Sequence, residues 1–337
     1  SNLLISAPSS NDEENSFIFT TDVHDEEGES NDNYTSQMGG TSASTPMVAG
    51  VVALMLEANP DLSWRDVQHI LIKTSKKIDS GHPGWFKTES GYDYNHAYGY
   101  GLVDAEAAVG AAQSWSSVDV EVSVNSGEIL VNEYINDNYD VGVTSETFID
   151  RSIDVESVEI EVNITHLFRG DLSLYLTSPN GIVSEIVAQN NDNGDHYRHW
   201  VFTSLVHWDE NSFGNWSLKV NDTVDSYTGD FISWNLTFYG TSSSDIDNDG
   251  LSDYAENVIG THPYIEDFDI DGVKDGDEYY GWIDYKGNVH KTDPTEKDTD
   301  KDGINDGVEG LFFNQTGYVT NPTDNDTDDD GLLDGEE

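Results

Sequence analysis

Cysteine is absent from the 337 residues, so no disulfide can staple any part of the fold. An exported chain of this kind has to gain rigidity elsewhere, and bound calcium is one source. Basic residues are scarce, 14 Lys and Arg against 66 Asp and Glu, and the net charge of −52 excludes the basic face that nucleic-acid binding requires. Divalent cations and basic peptides suit such a surface, although acidity also serves solubility and salt tolerance. There is no run of about 20 apolar residues to span a bilayer, and no basic-then-apolar leader opens the chain at Ser1. The length allows two or three domains.

The densest chemical signal is Gly40-Thr41-Ser42-Ala43-Ser44-Thr45-Pro46-Met47-Val48-Ala49-Gly50, which runs into the apolar Val51-Val52-Ala53-Leu54-Met55-Leu56. This pattern predicts an exposed serine at the mouth of a buried helix. A first-turn N–H has no intrahelical acceptor and stands at the positive end of the helix dipole, so an oxyanion beside Ser42 would meet a donor. Gly39 and Gly40 permit a sharp approach. An ordinary Ser/Thr cap before a core helix fits the spacing equally well.

The same residues resemble the nucleophile motif of subtilisin-like serine proteases. Leu56 to His69, Leu-Glu-Ala-Asn-Pro-Asp-Leu-Ser-Trp-Arg-Asp-Val-Gln-His, resembles the kexin and furin branch, and Tyr98 to Ala105 is similar to the end of that branch's catalytic domain. The resemblance implies Ser42 as catalytic serine, with Thr41 and Met38 lining the cleft. It also implies a histidine and an aspartate far upstream. Only 41 residues precede Ser42, and the one histidine among them, His24, lies in an acidic loop-like run, so the chain reads as a C-terminal fragment whose partner is the missing N-terminal part of its own catalytic domain. A polypeptide substrate is implied.

Within residues 1–115 the spacing predicts a buried parallel strand at Asn2 to Ala7. A second helix is capped by Ser63 with Asp66 at its third position, and Val67, Ile70 and Leu71 share a face. Trp64, Arg65 and Asp66 read as packing and capping residues. Gly99 and Gly101 read as points of close packing. Past Trp115 the period becomes two, at Val118 to Val124, Val155 to Ile164 and Leu172 to Leu176, which predicts an antiparallel sandwich. Trp200, Trp208, Trp216 and Trp234 read as core anchors. Arg169-Gly170-Asp171-Leu172, Leu176-Thr177-Ser178-Pro179-Asn180-Gly181 and Gly229-Asp230-Phe231-Ile232-Ser233-Trp234 resemble the P domain, or Homo B module, of kexin-like proteases. That resemblance implies a jelly-roll-like sandwich packed on the catalytic domain, with Arg169-Gly170-Asp171 as a structural turn and not an adhesion motif. Sequons such as Asn163-Ile164-Thr165 and Asn235-Leu236-Thr237 permit glycosylation.

From Asp245 the template Asp-x-Asp-x-Asp-Gly, with an acid at position 9 and glutamate at 12, occurs four times. The candidate calcium ligands are Asp245, Asp247, Asp249, Asp253 and Glu256; Asp267, Asp269, Asp271, Asp275 and Glu278; Asp298, Asp300, Asp302, Asp306 and Glu309; and Asp326, Asp328, Asp330, Asp334 and Glu337. Alternate side chains aim three carboxylates inward and glycine makes the bend. Two like charges 4 Å apart cost about 4 kcal/mol at an effective dielectric of 20, so folding here should be linked to cation binding. The spacing, with Asp293-Pro294 and Asn321-Pro322 before the last two loops, resembles thrombospondin type 3 repeats and implies structural calcium.

The expected fold class is multidomain: a partial α/β subtilisin-like domain (1–115), an all-β jelly-roll-like sandwich (116–242) and calcium-stabilised loop repeats (243–337). The expected function is a secreted or cell-surface, calcium-dependent serine endopeptidase, inactive as this fragment alone and carrying no membrane-spanning segment. The competing expectation is a non-catalytic calcium-binding surface or adhesion protein with a degenerate protease portion.

Overall fold

The computed structural model describes residues 2–10, 17–23, 28, 30, 32–137, 139–311 and 320–336. They form two compact units: Ser1–Ile149 with Asp154–Glu210 and Gly214–Thr241, and Asp150–Ile153 with Asn211–Phe213 and Ser242–Glu337.

The first unit begins with an extended segment beside the chain's own residues 100–103. Tyr100 N–H donates to the Leu4 carbonyl (2.9 Å), Ser6 N–H to Gly101 (2.7 Å) and Val103 N–H to Ser6 (2.9 Å). The strand expected at residues 2–7 is thereby reduced to one parallel bridge, Ser6 with Leu102, because Pro8 ends the run and pairing stops with it. A Cβ on Gly99 would lie 2.6 Å from the Leu4 carbonyl oxygen and one on Gly101 2.5 Å from that of Lys76, so both glycines are required by close approach.

The pair β1 (Ile18–Thr21) and β2 (Tyr34–Met38) leads into α1 (Thr41–Ala58), then α2 (Trp64–Thr74), the short β3 (Phe86–Lys87) and β4 (Asp93–Tyr94), and α3 (Ala105–Ala112). Ser63 and Asp66 form a reciprocal capping box that starts α2. Val51 and Met55 of α1, Ile70 and Leu71 of α2, and Ala108 and Ala112 of α3 share one cluster. The expectation of a buried α1 fails: only Ala43, Val51 and Met55 are buried along it, while Leu54 is 50 % and Leu56 39 % exposed. By length and composition alone α1 is apolar enough to cross a membrane. Trp64 is also exposed, because it begins α2 on the side away from the core.

Period-two alternation builds the sandwich. Its strands are β5 (Val122–Asn125), β6 (Ile129–Ile135), β7 (Tyr139–Ile149), β8 (Ile153–His166), β9 (Leu172–Thr177), β10 (Val183–Val187), β11 (Tyr197–Ser204), β12 (Gly214–Asp222) and β13 (Gly229–Ser242). One sheet runs β10-β9-β12-β7, the other β11-β8-β13-β5 with β6 also on β13. Val158, Ile160, Val162 and Ile164 of β8 face inward with Leu174, Leu218, Leu236 and Phe238. Trp216 and Phe238 join the two sheets at a ring separation of 4.9 Å. Of the four expected tryptophan anchors, Trp208, Trp216 and Trp234 are buried, but Trp200 is 42 % exposed. Trp200 instead lies under the Arg169 guanidinium, 4.7 Å away, and Asp192 fixes that guanidinium at 2.8 Å. The alternating run that begins at Val118 does not open as a strand, because Val118 N–H donates to Asp66 Oδ1 (2.8 Å) and Val120 is exposed.

A buried polar joint ties α2 to the sandwich within this unit. Arg65 donates through Nε and Nη2 to the two oxygens of Glu156 on β8 (2.7 and 2.6 Å), and through Nη1 to the Asp119 carbonyl (2.6 Å). His69 Nε2 is 2.8 Å from Glu156 Oε1. Burial raises the Glu156 carboxyl, and the His69 and Arg65 hydrogen bonds outweigh it, leaving the group below the ordinary carboxylate range. Around this joint Tyr94 and Tyr100 pack with Ile72, Val206 and Trp208, and Tyr100 Oη donates to the Leu205 carbonyl at 2.5 Å.

The second unit has a small apolar cluster of Phe213, Leu251 and Ala255, with Tyr254, Ile259, Tyr279 and Tyr280 against it. The helices α4 (Asp253–Ile259), α5 (Asp275–Tyr280) and α6 (Asp306–Leu311) are single turns or little more, and β14 (Trp282–Ile283) pairs with β15 (Val289–His290). Arg151 stacks on Tyr280 at 3.9 Å.

Substituting Glu156→Gln removes the hydrogen-bonded counter-ion of buried Arg65 and leaves only the longer contact to Glu121 at 3.9 Å; removal of one partner from a buried pair costs about 3–5 kcal/mol. A urea melt of the full chain should show that loss in the transition of the first unit; an unchanged midpoint would mean the joint is energetically idle.

Candidate functional site

Two sets of residues hold chemistry. The first is the start of α1. Gly40 caps the helix at φ 71° and supplies no side-chain bond to the first turn, so the Ser42 N–H keeps no intrahelical acceptor. Pro46 has no N–H to offer the Ser42 carbonyl, which loosens the turn at that residue. Ser42 and Thr41 are exposed and Met38 is half-buried at the end of β2. Ser9 Oγ donates to the Gly40 carbonyl (2.7 Å), and Ser44 Oγ to the carbonyls of Ala7 and Pro8 (3.2 and 3.0 Å), so the segment before residue 10 clasps the glycine bend. Sequence reading missed these two serines; a hydroxyl next to a glycine bend was the available signal. Among the described residues no histidine or carboxylate bonds the Ser42 hydroxyl. His24 lies outside the described residues.

The second set is the carboxylate ladder. In each loop the position-6 glycine sits at positive φ: Gly250 100°, Gly272 105°, Gly303 107° and Gly331 95°. Its N–H donates to the first aspartate, as Gly303 does to Asp298 Oδ2 at 2.9 Å. Such repeated geometry requires glycine at the bend. The ligand-type oxygens group in two ways. Asp245, Asp247 and Asp249 converge within one loop, as do Asp267, Asp269 and Asp271, and Asp298, Asp300 and Asp302. Asp249 also meets Glu256 and the next loop's Asp275, and Asp271 meets Glu278 and Asp306.

Position-9 aspartates thus do two jobs. One oxygen of Asp275 accepts from its own loop, Phe268 N–H (2.8 Å), while its Oδ2, beside the preceding loop, is buried without a hydrogen-bond partner among the described residues. Asp306 likewise accepts from Thr299 N–H (2.9 Å). Gly276 N–H donates to Asp249 Oδ2 (3.0 Å) and Gly307 N–H to Asp271 Oδ2 (2.9 Å), which stacks successive loops. In the fourth loop Asp326 and Asp328 accept backbone N–H bonds from Asp330, and Asp334 from Thr327. Glu337 lies outside the described residues. The contacts between loops escaped the sequence reading, which grouped each acid with its own loop.

These carboxylates fit a hard cation. Both oxygens of Glu256, both of Asp269, and one each of Glu278 and Glu309 are buried without a hydrogen-bond partner among the described residues, a cost that only a proton or a cation offsets. Burial first, then the charges of Asp247, Asp249, Asp253 and Asp275, pushes Glu256 up to about 8. Glu278 and Glu309 are pushed up to about 9 by burial against the relief of one threonine hydrogen bond each, with neighbouring aspartates adding to it.

With this geometry in place, comparison with known proteins is decisive for family. The Subtilase family matches residues 2–101, and the Proprotein convertase P-domain family matches residues 155–238. It is a subtilisin-like, kexin-branch chain with a P domain. Proprotein convertase subtilisin/kexin type 5 of Rattus norvegicus is 35 % identical over 277 residues, 78 % of this chain and 14 % of the relative. Kexin of Saccharomyces cerevisiae is 33 % identical over 213 residues, 60 % of this chain and 26 % of the relative. The chain therefore spans well under a third of either kexin-type protein. The crystal structure of a serine protease of Aeromonas sobria shares the fold, with TM-score 0.57 and 24 % identity over 62 % of this chain and 46 % of that one.

In the kexin-branch chain freed of cations, Glu256, Glu278 and Glu309 have folded-state values raised above the unfolded carboxylate range. Their contribution to stability is complete below about pH 4 and lost as pH rises through about 8 to 9. Thermal melts in chelator should therefore show the second unit weakening from about pH 5 to pH 8, and excess calcium should abolish or reverse that slope, since binding needs the deprotonated groups; a flat chelated profile would contradict the buried-carboxylate reading. A methyl on Gly307 would lie 2.5 Å from the Asp271 carbonyl oxygen. Gly307→Ala should weaken calcium binding at the second and third loops about 10- to 100-fold, the usual effect of losing an outer hydrogen bond to a ligand, as read by calorimetry.

Proposed function

We propose that this chain is the nucleophile-bearing and C-terminal part of a calcium-dependent, kexin-like serine endopeptidase. The observation that carries the reading is the exposed Ser42 on the first turn of α1, beside its own N–H, which has no intrahelical acceptor, and within the sequence Gly40-Thr41-Ser42. Ser42 attacks the scissile carbonyl of a polypeptide. A histidine takes its proton and an aspartate orients that histidine, both supplied by polypeptide outside this chain. The Ser42 N–H donates to the oxyanion, and Met38 and Thr41 line the cleft.

Two observations support an incomplete catalytic unit. Leu54 and Leu56, two residues apart and so on different sides of α1, are both bare, and the related proteins are several times longer than the share this chain covers. The residues 1–115, 116–242 and 243–337 then serve as catalytic segment, P domain and calcium-binding repeats. Calcium, when bound to the aspartates at loop positions 1, 3, 5 and 9 and the glutamates at 12, supplies the positive charge that lets them ionise together. Loops of this kind suit a secreted or surface location, where calcium is abundant and the lack of cysteine is compensated.

In the longer polypeptide that supplies histidine and aspartate, Ser42→Ala should lower turnover of a fluorogenic peptide on the order of 10⁶-fold, the loss seen for the triad serine in subtilisin, itself a relative of this chain. Undiminished turnover would place the nucleophile elsewhere, and no activity in either form would favour a non-catalytic calcium-binding surface protein.

A further inference from the structure

Asp275 Oδ2 is a buried acceptor that no hydrogen bond uses among the described residues, and neither oxygen of Glu256, in the loop before it, has a partner there either. Both residues are fully buried. In a solitary loop of this template, position 9 faces the ion held by that same loop. Here Oδ1 of Asp275 is occupied by Phe268 N–H at position 2 of its own loop (2.8 Å), and Asp253 and Asp306 hold Ile246 and Thr299 N–H in the same way (both 2.9 Å). Asp275, Glu256 and Asp249 bring oxygens within 4.8 Å of one another, as do Asp306, Glu278 and Asp271 one loop further on. Two oxygens on one calcium, each roughly 2.3–2.6 Å from it, stand no more than about 5 Å apart, so each set fits a single ion.

The stacking that brings these groups together recurs along the ladder. At position 10 stand Gly276, Gly307 and Gly335, and a methyl on them would lie 2.5, 2.5 and 2.3 Å from the position-5 carbonyl oxygens of Asp249, Asp271 and Asp302 in the loop before. The first loop, which follows no other, has Tyr254 at that position. Its position-9 residue differs in step: Asp253 is half-buried, whereas Asp275 and Asp306 are 0 % and Asp334 9 % exposed. Glycine at position 10 and a buried acid at position 9 therefore accompany a preceding loop.

We propose that each stacked loop lends its position-9 carboxylate to the calcium of the loop before it, Asp275 to the first site and Asp306 to the second, so that the sites are wired in series. An ion in the first loop pins Asp275, whose other oxygen holds the Phe268 N–H of the second loop; by linkage, an ion in either loop favours an ion in the other. The proposal rests on the reading that these loops hold calcium and is independent of Ser42.

The full chain titrated with calcium tests it. Amide exchange at Gly250 and Gly272 reads the first and second loops separately, because each N–H donates to the first aspartate of its own loop (3.2 and 3.1 Å). Asp275→Asn keeps an acceptor for Phe268 and removes the charge. The calcium concentration that half-protects Gly250 should rise at least about tenfold, since even an outer partner of a ligand is worth about 10- to 100-fold, and that for Gly272 should rise less. Asp253→Asn, the same change where no loop precedes, should move Gly250 less than Asp275→Asn does. Asp306→Asn should act on Gly272 more than on Gly303, and it decides the matter if the Asp275 variant fails to fold. A larger shift in a variant's own loop than in the loop before it, or no shift in either, overturns the serial wiring while calcium binding stands. A wild type without calcium-dependent protection overturns the calcium reading and the wiring with it.

Discussion

One carboxylate, Glu156, organises the first unit. It accepts both arms of the Arg65 fork and the His69 ring from α2 while lying on a central strand of the sandwich. A buried ion pair adds little net stability by itself, but losing either partner is expensive, so it acts as a test of correct assembly. Only when α2 meets β8 in register do guanidinium, imidazole and carboxylate satisfy one another. The aromatic residues around them, Tyr94, Tyr100 and Trp208, exclude water and raise the penalty for any other arrangement. Through the cluster shared by α2 and α1, that register extends to the helix whose first turn bears Ser42.

The second unit solves a different problem. Its apolar cluster is small, and its interior positions are occupied by Asp275, Glu256, Glu278, Asp306 and Glu309, all fully buried. Side chains of that kind cannot ionise together in the absence of positive charge. Hydrogen bonds from Gly276 and Gly307 to the preceding loop set the spacing, and several of the remaining oxygens are buried without a hydrogen-bond partner among the described residues. One unit is therefore held by hydrocarbon together with buried polar pairs such as the Arg65–Glu156 joint, the other by backbone geometry that gathers like charges.

Local signals were legible in the sequence. The Ser63 and Asp66 capping box, the alternation of β8 and β9, the close-packed Gly99 and Gly101 and the four glycine bends all depend on neighbours a few residues away. Features set by distant partners were not legible. Arg65 and Glu156 are 91 residues apart, and although Arg65 and His69 share a helix face with Ile72, nothing local names their acceptor. Trp200 reads as a core residue until Arg169 is seen to cover it. Val118 alternates like a strand residue yet gives its N–H to Asp66. The glycine bend that starts α1 beside Ser42 was legible because it is local; the exposure along α1 was not, since apolar composition is the same whether a helix is covered or bare.

The functional proposal stands or falls with Ser42 as the reactive hydroxyl of a serine endopeptidase. The most direct measurement is peptide mapping by mass spectrometry after a fluorophosphonate has labelled the longer, active polypeptide. Phosphonylation is expected on Ser42 and not on Ser44, whose hydroxyl is committed to the carbonyls of Ala7 and Pro8. Loss of activity with the label on any other residue would contradict it.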